Sequence, residues 1–372
     1  MALVQYLLEY GSTYATLTNE ATNLVSVNVN YGRHAQLDEY NANTASVTMR
    51  YPNGYASPNA SWITGTWVRI SVRMVPLLGW QQLFVGRISD VQVEYGIPYK
   101  SSVGNADYVT LSCEGNFAAF GRVQGNNYAM AAASLQAQTG NCATQTGLNI
   151  TTDLGFGGTQ QFPGTTISGT WGDWVNRTVL TMNGRMIDLS DGILVVNPYY
   201  KLNPFFGNFS DTTNDASNHS YEKIAFTSLA DNYYTQVTVS PEGFSSATVS
   251  SGSAPYRTYQ VNTLNSSTAQ ATDLANYLLS NYKTPALRIA SVTCNLNAQI
   301  GQIPAYGMNY ISTQVSVAFR GTTYKGVIEG ATFSGTPDSA SATFYLSGQD
   351  LNNYLLLNDA VYGTLNNNKL GY

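Results

Sequence analysis

Runs of alternating apolar and polar residues, separated by turn residues, cover most of the first 115 positions of the chain. Successive side chains of a β-strand point to opposite faces, so an alternating run predicts a strand with one buried face. The runs lie at residues 23–31, 44–51, 67–75, 83–95 and 108–113, with turn-forming sequences such as Pro52-Asn53-Gly54 between them. Short strands at this spacing predict a small antiparallel barrel or sandwich.

The last third of the chain repeats this strand pattern around a single long helix. Strands are predicted at residues 221–228, 233–240, 287–296, 310–319, 324–334 and 340–347. Between them, residues 268–282 carry apolar side chains at the spacing of one helical face, namely Ala271, Leu274, Ala275, Leu278, Leu279 and Tyr282. Thr268 is the predicted N-cap, and Pro285 is predicted to end the helix.

The middle of the chain predicts a mixture of helices, loops and one hairpin. Short helices are predicted at residues 116–121, 128–138 and 171–182. Residues 140–172 are rich in Gly, Thr and Gln and predict a long loop, which we expect to reach a neighbouring subunit or ring. Asp191-Gly192 lies between two apolar runs and predicts a β-hairpin, because both residues tolerate positive φ.

These patterns predict a mainly β fold with an α+β insertion. The expected domains are an N-terminal β-barrel at residues 1–115, a mixed α/β insertion at 116–220, and a C-terminal β-rich barrel at 221–372. The amphipathic helix at 268–282 belongs to the last of these.

The charge of the chain restricts its possible partners. There are 17 Lys and Arg residues against 22 Asp and Glu, and charged residues make up only 10% of the chain, compared with about 25% in typical soluble proteins. This acidic balance argues against a nucleic-acid-binding protein, which usually has a basic patch or stripe. Abundant Tyr, Asn, Ser and Thr instead favour an assembly subunit or a carbohydrate-contacting protein. No apolar run spans a membrane and no signal peptide is evident, so we expect synthesis in a cytoplasm.

No arrangement of residues predicts catalysis, a metal site or a cofactor. The two histidines, His34 and His219, lie far apart in sequence. The three cysteines, Cys113, Cys142 and Cys294, are predicted to be buried apolar residues. The neighbouring carboxylates that a glycosidase would need are Asp38–Glu39, Asp188/Asp191 and Asp153/Asp173. Asp191 is explained better as a turn residue, and Asp38–Glu39 as a loop after a strand. We therefore predict a protein that is not an enzyme.

The five tryptophans allow two interpretations. Trp62, Trp67, Trp80, Trp171 and Trp174 are candidates for sugar-stacking platforms. Tryptophan also fills cores and subunit interfaces, where an apolar ring and a polar N–H are both useful. We favour cores and interfaces.

Short motifs follow one another along the whole chain in a definite order. They lie at residues 29–48 (Val-Asn-Tyr-Gly-Arg-His through Thr-Ala-Ser-Val-Thr), 65–70, 83–88, 111–116, 184–194, 231–239, 275–289 and 363–372. In this order they resemble the minor tail proteins of long-tailed bacteriophages. The chain departs from that family's pattern at Tyr31, where the family has Arg, and at Asn366, where it has Asp.

The resemblance implies a structural virion protein at the tail tip, made in the cytoplasm of the host bacterium. It implies a hub ring, expected to be a homotrimer, in which two barrels per subunit join the sixfold tail tube to the tip. Implied partners are the distal tail, tail tube, tape measure and tail fibre or tip proteins, with DNA only passing through the channel. The alternatives are a hexameric distal tail ring and a receptor- or glycan-binding tail-tip protein.

Overall fold

The structure is a computed structural model. It describes residues 3–52, 62–75, 79–96, 106–152, 160–196, 208–212, 218–227, 233–284, 288–295 and 311–347. Strands dominate these ranges, and helices are few, which confirms the predicted mainly β fold with a mixed α/β part.

The first part of the chain is almost entirely strands. Its elements are β1 (Leu3–Gly11), a 3₁₀ turn (Tyr14–Thr16), β2 (Asn19–Ala21), β3 (Leu24–Gly32), β4 (Thr44–Tyr51), β5 (Trp67–Val75), β6 (Gln81–Glu94), β7 (Asp107–Glu114) and α1 (Phe117–Arg122). The alternation identified in the sequence is visible as burial, since Val27, Val29 and Tyr31 of β3 are buried while Asn28 and Asn30 are exposed.

The middle part alternates short strands with helices. Its elements are β8 (Tyr128–Met130), β9 (Ala133–Ser134), α2 (Leu135–Thr146), β10 (Ile150–Thr152), β11 (Gln161–Phe162), β12 (Thr165–Ile167), α3 (Trp171–Thr181), β13 (Arg185–Asp188) and β14 (Ile193–Val196). The hairpin predicted at Asp191-Gly192 is confirmed, because β13 and β14 pair antiparallel around it.

The last part returns to strands around one long helix. Its elements are β15 (Asn208–Ser210), β16 (Asn218–Ser220), β17 (Lys223–Thr227), β18 (Gln236–Pro241), β19 (Ala247–Ser250), β20 (Thr258–Thr263), α4 (Thr268–Tyr282), β21 (Arg288–Asn295), β22 (Gln314–Phe319), β23 (Thr322–Thr336) and β24 (Ser339–Ser347).

One long strand, β23, joins the two ends of the chain in a single branched sheet. Along one edge β23 pairs with β24. Along the other edge it pairs first with β22 and then, beyond an irregularity at Glu329, with β3. The strand order is therefore β16-β15-β22-β23-β3-β4-β7-β6-β5-β1-β2, with β24, β21 and β17 on the far side of β23. Described strands from both predicted barrels thus share a sheet, and the domain boundaries of the sequence analysis stay a prediction.

The branched sheet curls on both sides of β23. On one side β1 approaches β23, where the rings of Tyr6 and Phe333 lie 6.3 Å apart. On the other side Phe226 of β17 contacts Phe319 and Tyr324 at ring distances of 5.4 and 5.3 Å. We call these halves the first curved sheet (β1–β7 with the end of β23) and the second curved sheet (β15–β17 and β21–β24). One continuous apolar core fills both.

Two smaller units pack beside the curved sheets, each with its own core. The middle unit buries Trp171, Trp174 and Val175 of α3 against α1, α2 and the β13–β14 hairpin. The α4 unit packs α4 on the three-stranded sheet β19-β18-β20. Its buried helix face is the one read from the sequence, with Ala271, Leu274, Ala275, Leu278, Leu279 and Tyr282.

Three predictions in these units are wrong. Residues 128–138 are not one helix, because Tyr128–Met130 and Ala133–Ser134 pair with β12 and β11 before α2 begins. The region 140–172 is not a long loop, since its described residues contain the end of α2, the strands β10 to β12 and the start of α3. The N-cap of α4 is Ser267, whose Oγ accepts the N–H of Gln270 at 3.2 Å. Tertiary pairing overrides local composition in the first two cases.

Candidate assembly interface

The described residues bring no catalytic group of side chains together. Asp38 accepts the backbone N–H of Ala35 at 2.9 Å, and Asp173 caps α3 through the N–H of Thr170 at 2.8 Å. His34 is exposed and stacks on Tyr345 at 3.9 Å. Asp153 lies outside the described residues.

The remaining candidates also have structural environments. His219 is buried on β16, and its ring lies 6.2 Å from that of Phe209. All three cysteines are buried inside the cores, as predicted. No group of His, Cys, Asp and Glu within the described ranges has the arrangement of a metal site. Among the described helices, none has both the length and the apolar character needed to cross a membrane.

The middle of the outward face of the sheet, from β21 through β24, β23, β3 and β4 to β7, carries short uncharged side chains, and the charged residues Arg50 of β4 and Glu114 of β7 lie at its margin. We call it the hydroxyl–amide face, and its central members are Asn28, Asn30, Thr44, Ser46, Thr48, Thr110, Ser112, Thr293, Thr332, Ser334, Ser341 and Thr343. Cross-strand register aligns them in rows, so that one row runs from Ser341 through Ser334, Asn28 and Ser46 to Ser112. The face therefore spans both curved sheets.

Hydrogen bonds link these side chains between neighbouring strands. The hydroxyl of Thr332 donates to Oδ1 of Asn30 at 2.9 Å, and Nδ2 of Asn30 donates to Oγ1 of Thr44 at 3.3 Å. The hydroxyl of Ser334 donates to Oδ1 of Asn28 at 2.7 Å. Cross-strand pairs of this kind stabilise a sheet.

The opposite outward face of the first curved sheet is charged. Arg69 of β5 forms a two-point ion pair with Glu9 of β1. Arg73 donates to Oε1 of Gln5 at 2.8 Å and lies over the ring of Trp80 at 4.4 Å. We call the depression bounded by these residues the charged groove, and its volume is about 590 Å³. The first curved sheet thus has a neutral and a charged side.

A buried ionic cluster, which we call the Glu329 junction, lies where β23 changes partner from β22 to β3. Glu329 accepts Nε of Arg33 at 2.9 Å, a terminal nitrogen of Arg185 at 2.6 Å and the hydroxyl of Ser347 at 2.5 Å. Burial by itself would raise the pKa of Glu329, but Arg185 and Arg33 outweigh it and lower the pKa to about 2. The cluster connects the first sheet, the middle unit and the second sheet through one ionised carboxylate.

Glycines allow the backbones to meet at this junction. Gly32 has φ +64°, and a Cβ there would lie closer than 3.0 Å to the carbonyl oxygen of Glu329. A Cβ on Gly330 would collide in the same way with the carbonyl oxygen of Tyr31. Only glycine fits such a close approach, so the fork in the sheet depends on these two positions.

A second buried carboxylate, in what we call the Asp188 junction, attaches the middle unit to the end of β7. Asp188 accepts the backbone N–H of Asn116 at 2.9 Å and that of Phe117 at 3.3 Å. Nδ2 of Asn116 donates in turn to the carbonyl of Leu189 at 2.6 Å. Burial raises the pKa of Asp188 to about 7, although the backbone N–H groups oppose this shift.

The α4 unit is attached by polar contacts as well. The hydroxyl of Tyr282 donates to Oε1 of Gln36 at 2.8 Å, and Nε2 of Gln36 donates to Asn183 at 3.0 Å. Arg177 of α3 forms an ion pair with Glu242 at 2.5 Å. All the described units are therefore linked by hydrogen bonds or ion pairs as well as by apolar packing.

The sequence analysis did not identify the hydroxyl–amide face or the two junctions. The face had a signal, since the polar positions of residues 26–30 and 44–48 are all Ser, Thr or Asn and carry no Lys or Glu. The junctions had none, because Arg33 and Glu329 are 296 positions apart. Three tryptophans, Trp62, Trp171 and Trp174, are buried as core residues, in agreement with the interpretation favoured above.

Comparisons with known proteins identify the fold. No protein-family model matches the sequence, and no curated protein is similar to it in sequence. Solved structures do match over nearly the full chain. The 43 kDa tail protein of prophage MuSo2 from Shewanella oneidensis has a TM-score of 0.64 at 12% identity, covering 92% of this chain and 98% of that one.

Two further solved structures agree with this match. The tail protein of Neisseria meningitidis MC58 has a TM-score of 0.64 at 10% identity, with 93% and 97% of the two chains covered. An Escherichia coli type VI secretion component, described as structurally similar to the T4 bacteriophage tail proteins gp27 and gp5, has a TM-score of 0.55 at 9% identity. It is covered over 77% of its length, against 92% of this chain. The chain therefore has the fold of these prophage tail proteins.

Proposed function

We propose that this chain is a structural, non-enzymatic subunit of a bacteriophage tail, placed at the tail tip, and that three copies form a hub ring around the DNA channel. The observation that supports this most directly is the pair of curved sheets sharing β23. One chain then supplies two barrel-like bodies in fixed relation, so three chains present six to a sixfold tail tube. Ring neighbours would be the distal tail, tube, tape measure and tip proteins.

We further propose that the hydroxyl–amide face lines the channel. DNA contacts to Lys and Arg release counterions and bind tightly, which would retard a passing genome. The two central rows contain no charged residue on the described strands β21, β24, β23, β3 and β4. Charged residues enter at the ends of the rows, with Lys223 of β17 at one end and Asp90, Arg87 and Glu114 of β6 and β7 at the other. A neutral wall lets DNA pass without a chain of strong contacts.

Electron cryomicroscopy of the purified particle tests the proposed ring. Three copies around an axial channel, with Asn28 and Ser334 facing the axis, are the expected result. Six copies would indicate the distal tail ring. The argument that two barrel-like bodies in each of three chains match a sixfold tube would then not apply. Copies placed off the axis would contradict a ring function altogether.

A receptor-binding role is the second candidate, and the charged groove favours it. Its volume of about 590 Å³ suits a small ligand, and its walls combine the indole of Trp80 with polar side chains such as Gln82 and Glu20. Glycan-array binding by the purified protein that is lost in Trp80→Ala would support this role. Absence of glycan binding by the wild-type protein would remove it.

A further inference from the structure

A small cavity lies beside the Glu329 junction, past the end of β24. Its volume is about 100 Å³, and it is lined by Arg288, Ile289, Tyr324, Lys325, Gly326, Leu346 and Ser347. The apolar members, Ile289 and Leu346, are buried, whereas Lys325 is exposed and Arg288 half-buried. The cavity therefore has an apolar floor and a cationic rim, supplied by two different strands, β21 and β23.

The charged side chains at and behind this cavity carry a net positive charge. None of the described residues that line the cavity is acidic. Behind it, Ser347 donates its hydroxyl to Glu329, whose single negative charge is shared by Arg33 and Arg185. The two rim residues and this cluster together carry a net charge of +3, in a chain whose net charge is −5. Like charges gathered around a low-dielectric recess attract an anion.

The two rim cations differ in how they are held. A terminal nitrogen of Arg288 donates to the carbonyl of Asn281, and its guanidinium lies 5.2 Å from the centre of the Tyr282 ring. Lys325 forms no ion pair with any residue that the structure describes. Arg288 is thus fixed in position, while the ammonium of Lys325 retains its capacity to bind a ligand.

We propose that this cavity receives the carboxylate of an Asp or Glu side chain from another subunit of the tail. The inference rests on the proposed function, because it requires a neighbouring subunit. A cavity of about 100 Å³ has room for a carboxylate group, and its two rim cations supply the charge that such a group pairs with. Subunits with more acids than bases, as in this chain with 22 against 17, supply such groups readily.

Competition for incorporation into tails tests the proposal. Lys325→Glu is co-expressed with the wild-type chain, and the ratio of the two chains in purified tails is measured. We expect incorporation of the variant to fall roughly ten- to a hundredfold, the loss expected for a charge-assisted hydrogen bond. Lys223→Glu is the matched control, because Lys223 is exposed on β17 outside the cavity and the change in net charge is identical. Equal incorporation of Lys325→Glu and wild type overturns the proposal.

Thermal unfolding of the purified protein provides a measurement that needs no ring. Sodium glutarate is expected to raise the Tm of the wild-type chain above that in sodium chloride of equal ionic strength, and to have no such effect on Lys325→Glu. Stabilisation by inorganic phosphate but not by glutarate would overturn the carboxylate assignment. If the wild-type chain is absent from tails, the proposed function fails, and the glutarate result alone then decides whether the cavity binds a carboxylate.

Discussion

The molecule holds its parts together with two buried carboxylates that are stabilised in opposite ways. Glu329 is ionised, with two arginines and a hydroxyl as partners, and its pKa is lowered to about 2. Asp188 has backbone N–H groups as partners and no ion pair within the described residues, and its pKa is raised to about 7. A buried charge is costly unless it is paired. The Glu329 junction therefore keeps its strength across the neutral range, whereas the strength of the Asp188 junction depends on pH there.

The largest expected effect comes from removing the charge of Glu329. Glu329→Gln leaves Arg33 and Arg185 buried without a counter-charge, and breaking a buried ion pair in this way costs about 3–5 kcal/mol. Urea unfolding should show a loss of this size in the free energy of unfolding. Glu20→Gln, at an exposed position, is the control and should change stability by no more than about 0.5 kcal/mol. A similar small loss for both variants would contradict the assigned role of Glu329.

The pH dependence of stability separates the two carboxylates. The pKa of Asp188 is higher in the folded chain, about 7, than its ordinary value of 3.8, so the folded state binds the proton more tightly. Its contribution to stability is therefore greatest below about pH 4 and declines, by an amount on the order of a few kcal/mol, as the pH rises to about 7. Glu329, with its pKa lowered from 4.5 to about 2, contributes fully above pH 4.5 and loses its contribution as the pH falls towards 2.

Urea titrations between pH 4 and pH 8 measure this difference. The free energy of unfolding of the wild-type chain, minus that of Asp188→Asn, should decrease as the pH rises from 4 to 7. Asp173→Asn is the matched control, because Asp173 is an exposed capping residue and the change of side chain is the same. A flat curve for Asp188→Asn would show that this carboxylate titrates normally.

A smaller effect is expected from the backbone contact at the Glu329 junction. Gly32→Ala would place a methyl group against the carbonyl of Glu329 and would also strain a residue with φ +64°, for a cost of about 1–3 kcal/mol. Gly65→Ala has a comparable φ of +90° with no atom within 4 Å, so it measures the backbone strain alone. Thermal melting should show Gly32→Ala as the less stable variant. Equal losses would mean that the close approach of β3 and β23 contributes nothing.

The smallest effect on stability is expected at the hydroxyl–amide face. A substitution there should change the release of DNA and not the stability of the fold. Asn28→Lys adds a cation to an exposed position far from both junctions, so stability should change by no more than about 0.5 kcal/mol. If this face lines the channel, tails carrying the variant should assemble normally but release DNA more slowly, most clearly at low salt. Gln260→Lys, which adds the same cation at an exposed position of β20 outside this face, should not slow release. Unchanged DNA release in Asn28→Lys would contradict the proposed lining.

The sequence predicted the elements whose signals are local. The buried face of α4 follows from an apolar spacing within 15 residues, and the hairpin at Asp191-Gly192 from two turn residues. The helix predicted at residues 128–138 is wrong for a tertiary reason. The first residues of this alanine-rich segment form β8 and β9, which pair with β12 and β11. The junctions were beyond local reasoning, since Arg33, Arg185 and Glu329 meet only after distant strands have paired.

The most direct measurement of the central proposal is the copy number and orientation of this subunit in an electron cryomicroscopy map of the tail tip. We predict three copies around an axial channel, with the hydroxyl–amide face towards the axis and the charged groove away from it. A map in which the charged groove faces the axis, or in which the copies lie beside the channel and do not enclose it, would contradict the account.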